Sequence, residues 1–162
     1  MDNFKEVDES LEKTNKTVDS LSRQMKFVGF DKAVADSLEK LFDNTSVYLK
    51  RLKSELDSSD SHGEKLGVAE DILIKTQKGD SLFNYLVQVY DVANKYGDST
   101  SRQYLIDLRK YGKDKWLERY FRKVPTIAAS TILSKFQNDL GLIKISVMSA
   151  GITELKNKIL SE

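Results

Sequence analysis

The sequence predicts an all-α fold, a bundle of long antiparallel helices joined by shorter connecting helices. Three observations lead there. Apolar residues recur at alternating spacings of three and four in separate long stretches, which places them on one face of a helix. The 162 residues include a single proline and only eight glycines, which favours long helices over a loop-rich β fold. The chain also lacks an alternating strand–helix pattern.

In the first stretch, Phe4, Val7, Leu11, Thr14, Val18, Leu21 and Met25 form an unbroken heptad-like seam. Val28-Gly29-Phe30 breaks it, and Asp31 is placed to cap the next helix. Val34, Leu38, Leu41, Thr45, Tyr48, Leu52 and Leu56 make a second seam. The two seams are of similar length and share a short turn, so they predict an antiparallel helix pair. The polar run from Asp57 to Lys65 reads as a solvated loop, and Asp57–Gly79 as a whole as an irregular region. Within it, Asp71–Lys75 fits either a short extended piece or a buried helical turn. Lys78-Gly79-Asp80-Ser81 starts a third helix, with Asp80 or Ser81 as its cap. Leu82, Leu86, Val89 and Ala93 line its inner face, widened by Phe83, Val87 and Tyr90, and Tyr96-Gly97 ends it. Leu105, Leu108, Trp116, Leu117, Tyr120 and Phe121 give one or two short helices interrupted at Tyr111-Gly112. Pro125 suits the first turn of a last helix running towards Leu160. Its seam is Leu133, Phe136, Leu140, Ile143 and Val147, shifting afterwards to Met148, Ile152, Leu155 and Ile159.

Composition bounds the function. The length suits one domain over residues 1–162 with a sizeable core. A formal charge of +1 sets up no global field for nucleic acid or membrane. The absence of cysteine excludes disulfides, a CxxC redox pair and thiolate zinc sites, and leaves the compartment open. No run approaches the roughly 18 apolar residues of a membrane span. No signal peptide pattern is present.

Catalytic patterns are missing. His62 is the one histidine and sits in the polar loop, where it reads as a surface residue. No serine lies in a nucleophile-elbow pattern. Ser58–Ala69 fails as a calcium loop, because Ala69 stands where the bidentate glutamate belongs. Tyr111 and Lys115 share a reductase-like spacing, yet no glycine-rich strand-to-helix turn accompanies them. Asp114 and Glu118 sit among lysines and arginines and do not form a tuned acid–base pair. The expectation is a protein that is not an enzyme, with no catalytic, metal or cofactor-binding residue.

Two features stand out. Ser101–Lys123 carries eight basic residues against Asp107, Asp114 and Glu118, with Tyr104, Tyr111, Trp116 and Tyr120 interleaved. A solvated face whose aromatics belong to the core is the leading reading. A contact of Arg119, Arg122 and Lys123 with anionic lipid head groups or an acidic partner is a second. Nucleic acid is disfavoured, since the rest of the chain is balanced or acidic. The other feature is the polar triplet Gln137-Asn138-Asp139 on the flank of the last seam. It is expected to reach back and satisfy backbone groups in the loop before Pro125.

The last helix also carries a pattern: Pro125-Thr126-Ile127-Ala128-Ala129, then Thr131, Leu133, Lys135, Gln137 and Asp139. This resembles the GldM/PorM family, in which Pro-Thr-hydrophobic-Ala-Ala leads to Thr-x-Leu-x-Lys-x-Gln-x-Asp. Phe4, Val7, Asp8, Ser10 and Leu11 are similar to the family's segment just after its membrane helix. The Lys78-Gly79 turn before Ser81-Leu82 is a third, weaker match, and together the three span most of the chain in order. The resemblance implies the first periplasmic helical domain of a core component of the Bacteroidetes type IX secretion and gliding motility machinery. It implies an inner-membrane anchor helix before Met1 and β-rich domains beyond this chain. It also implies a homodimer in the full protein, a GldL-like motor partner in the inner membrane, and GldK/GldN-like partners in the outer ring. Read from pattern alone, a generic periplasmic sensor-type or adaptor bundle is the alternative, and it would carry a ligand pocket between helices.

Overall fold

A computed structural model describes residues 2–24, 26–59, 65–96, 98 and 101–161. Five helices follow one another: α1 (Asp2–Gln24), α2 (Lys32–Ser59), α3 (Lys78–Lys95), α4 (Arg102–Phe121) and α5 (Thr126–Ser161). A single π-helical turn, Glu70–Ile74, precedes α3. Among the described residues there is no strand, only an isolated antiparallel bridge between Leu66 and Pro125. The all-α prediction holds.

α5 is the hub. It takes α1 along one side and α2 along another, and it also touches α3. α3, α4 and the π turn form a second layer against α2. The α5 stripe read from the sequence is the centre of the core: Leu133, Leu140, Ile143, Val147 and Met148 are buried, as is Phe136. Phe136 stacks on Trp116 with ring centroids 5.8 Å apart. The stripe shift after Val147 ends in solvent, because Leu155 and Ile159 lie on an exposed terminal stretch of the helix.

α2 buries more than one stripe. Phe42 and Leu49 join Leu38, Leu52 and Leu56 inside, because the helix faces both α5 and α3. α4 is interrupted at Gly112, whose φ of 73° and ψ of 171° are non-helical, so the break read at Tyr111-Gly112 is present. α3 starts at Lys78 after Gln77, whose side chain makes no cap; the Thr76 hydroxyl accepts the Lys78 N–H at 3.1 Å, and Asp80 and Ser81 lie inside the first turn. Asp71–Lys75 resolves as the π turn, with Leu73 fully buried. Met25, His62 and Gly97 lie outside the described residues.

The α1 seam is a correction. Phe4, Val7 and Leu21 are 45%, 43% and 51% exposed, and Thr14 is exposed too. Of the seam's described residues only Val18 is buried and Leu11 half-buried; Asp8, outside the seam, faces inward with them, and Asn15 is half-buried. Lys53, near the end of α2, reaches Asp8 near the start of α1, so the two helices do run antiparallel. Each nevertheless lays its main contact on α5 rather than on the other. The cause is local. Asp8 is drawn to Lys53 and Ser134, and the missing side chain of Gly141 makes room for Val18. The helix therefore buries only part of its apolar stripe.

Candidate functional site

The residues of the family-like pattern lie along α5, and most of them bind one helix to another. Thr126 is buried at the start; its hydroxyl donates to the Lys65 carbonyl at 2.9 Å and its N–H to the same oxygen at 3.2 Å. Together with the Leu66–Pro125 bridge, this pins the returning chain to the root of α5. Ala128, Ala129, Ser130 and Thr131 are small and buried, which lets neighbouring chain approach closely. The Thr131 hydroxyl donates to the Ile127 carbonyl at 2.9 Å and lies 3.3 Å from that of Phe4. Leu133 is core, whereas Lys135 is exposed.

The polar triplet does not reach the loop before Pro125. Twelve helical residues separate Gln137 from Pro125, a rise of about 18 Å, beyond the span of any side chain. Gln137 Nε2 donates to Ser46 Oγ of α2 at 2.8 Å instead. Asp139 accepts the Tyr90 hydroxyl of α3 at 3.3 Å. The loop is satisfied from elsewhere, by the Glu70 carboxylate accepting the Lys123 N–H.

Burial holds the Asp139 carboxyl above the usual carboxylate range, against the Tyr90 hydrogen bond and the Lys135 charge. Burial also pushes the Tyr90 phenol well up, helped by Asp139. The sign for stability follows. A carboxyl raised in the folded state holds its proton more tightly there than in the unfolded chain. The protein therefore gains stability as pH falls through the folded value towards the unfolded one. We expect the wild type to gain on Asp139→Asn as the solution is acidified across that window, measured by denaturant titration. A pH-independent difference between the two would show that Asp139 titrates normally.

A polar cluster that sequence reading missed joins α1, α2 and α5. Lys53 Nζ donates to Asp8 Oδ2 at 2.8 Å and to Ser130 Oγ at 2.8 Å. It also lies 3.4 Å from Glu12 and 3.4 Å from Asp57. Ser130 Oγ donates to Asp57 Oδ1 at 2.9 Å, and Ser134 Oγ to Asp8 Oδ1 at 2.6 Å. Burial alone would pull the Lys53 ammonium down; the Asp8 hydrogen bond and the surrounding carboxylates outweigh it and raise it. Nothing in the local sequence pairs residues 45 positions apart, so only the assembled fold reveals this cluster.

A cleft of about 340 Å³ opens beside the cluster, with Leu49 and Leu133 among its walls and Glu12, Lys16, Asp19 and Lys50 also lining it. Among the described residues no group of three or more His, Asp or Glu side chains converges as a metal site.

The basic segment divides. Arg109 pairs with Asp91 at 3.0 Å and Lys113 with Asp80 at 3.3 Å. Trp116 is buried among Phe83, Phe121 and Phe136. Arg119, Arg122 and Lys123 are exposed. Arg119 lies over the Tyr111 ring at 4.9 Å and donates to its hydroxyl at 3.2 Å. Lys123 turns the chain with a φ of 56°.

What this arrangement provides is helix-to-helix connection, centred on α5. No helix among the described residues is long and apolar enough to cross a membrane. No curated protein and no solved structure matches the chain. The model of the GldM N-terminal domain matches residues 1–153, nearly the whole sequence. The chain belongs to the GldM family and carries its N-terminal domain, which makes it part of a type IX secretion and gliding motility component.

Proposed function

We propose that this domain is a non-enzymatic mechanical coupler. It stands in the periplasm on an inner-membrane anchor and passes displacement from a GldL-like motor partner towards a GldK/GldN-like outer ring. In the full protein it works as a homodimer. The observation that carries this reading is α5. Its 36 residues form one continuous rod, about 54 Å long at 1.5 Å per residue. α1, α2 and α3 pack along that rod, and α4 meets it through Trp116 and Tyr120 on Phe136. A load applied at one end of the bundle thus reaches the other through a single covalent helix.

Arg119, Arg122 and Lys123 supply an exposed cationic surface near the root of the rod, suited to an acidic partner or to lipid head groups close to the anchor. Replacing all three by glutamate should leave the isolated fold intact, as read by circular dichroism, and impair secretion in cells. Normal secretion at normal protein level would reduce the patch to a solvated face. Co-purification of the longer protein with a small inner-membrane partner tests the coupling itself. Failure to recover such a partner under gentle solubilisation would count against it.

A further inference from the structure

We infer that α1 is a releasable strap, held on a self-sufficient α2–α5 core by a polar latch rather than by apolar burial. The first observation concerns the core. Its contiguous apolar cluster begins at Phe27 and runs through α2, α3, α4 and α5, and among the described residues none of α1 belongs to it. Among the apolar residues of α1, only Val18 is buried. α1 lies over α5 beside Leu49 and Leu133, yet it adds a single buried apolar side chain of its own to that contact.

The second observation concerns the polar contacts that α1 makes with α2 and α5. Asp8 meets Lys53 and Ser134, and Asn15 Nδ2 donates to the Ser134 carbonyl at 3.2 Å. Asn15 Oδ1 is buried without a hydrogen-bond partner. Asn138, one turn beyond Ser134 on α5, has the same defect at its Oδ1. Hydrogen bonds of this kind are exchanged for water at small net cost, and buried unpaired acceptors regain solvation on release. Apolar burial gives no such exchange. Docking of α1 is thus a local equilibrium set below the global stability.

The third observation is a fixed pivot. Gly29 and Gly151 are in mutual backbone contact, so the turn that follows α1 stays pinned to α5. Release then swings α1 about the segment before Gly29, with α2 left in place. The inference rests on packing alone and stands apart from the proposed mechanical role.

Amide hydrogen exchange on the full 162-residue chain tests it. Amides from Asp8 to Val18 should exchange as one unit, at least about tenfold faster than those of the α2 and α5 core. Fraying would instead fade inward from the N-terminus. Lys53→Met keeps the aliphatic stem and removes the latch. It should speed the α1 amides a further roughly tenfold and leave core protection unchanged. A Cβ built on Gly141 lies 3.5 Å from that of Val18, within disulfide range. The chain has no cysteine, so within one molecule a Val18→Cys/Gly141→Cys pair has no competing thiol, and oxidation at low protein concentration favours the internal bridge. Once oxidised it should bring α1 to core-level protection, and reduction should reverse this. Exchange of α1 and core at one common rate in the wild type overturns the inference. So does a Lys53→Met variant that loosens the core along with α1. Where that variant does not fold, the wild-type comparison decides.

Discussion

Replacing Phe136 with alanine should lower stability by about 3–5 kcal/mol, the range for removing a buried aromatic whose site does not collapse. The site has little freedom to collapse. Phe136 stacks on Trp116 at 5.8 Å and meets Tyr120 edge-on at 6.4 Å. Trp116 is itself held by Phe83 and Phe121. These rings come from α3, the second half of α4, and α5, so no single one can move in to fill the space. The loss would also uncouple α4 from the rod, since among the described residues α4 packs chiefly on α3 and the π turn. Urea titration measures the change. A loss below about 1 kcal/mol would place the ring at a surface, contrary to its burial at 8% exposure.

The same aromatic cluster shows what the sequence made legible. Three-four spacing located Leu133, Phe136, Leu140, Ile143 and Val147 on one buried face, because their apolar side chains keep the helical period. Ser130, Thr131 and Ser134, buried on another side of the same helix, are polar and gave no such signal. α3 was equally legible, with Leu82, Leu86, Val89 and Ala93 all inside. α2 was less so. Phe42 and Leu49 fall between its seam positions, since a helix with two neighbours buries a wider arc than one stripe. α1 misled for a different reason. Its apolar stripe is genuine, but the pull of Lys53 on Asp8 and the space at Gly141 set its roll, and both are facts of tertiary structure. The partners of Gln137 and Asp139 were hidden in the same way. Ser46 and Tyr90 are 91 and 49 positions away, and polar side chains carry no periodicity that would pair them.

The second large effect is expected at Gly29, and comparison with Gly112 isolates its cause. Both glycines have positive φ, 83° and 73°, a sparsely populated region where a side chain costs roughly 1–3 kcal/mol. Around Gly112 an added Cβ meets nothing within 4 Å, so Gly112→Ala should cost only that backbone strain. At Gly29 the same Cβ would sit 2.0 Å from the Gly151 carbonyl oxygen and 2.8 Å from its carbon. Those are backbone atoms in the middle of α5 and cannot rotate aside. Either the turn lifts off the rod or the rod deforms, adding roughly 1–3 kcal/mol of overpacking. Gly29→Ala should therefore cost about 2–6 kcal/mol in total, above Gly112→Ala. Equal losses for the two alanine variants would mean that the α1–α2 turn is not seated on Gly151. The pivot assigned to α1 would then fall with it.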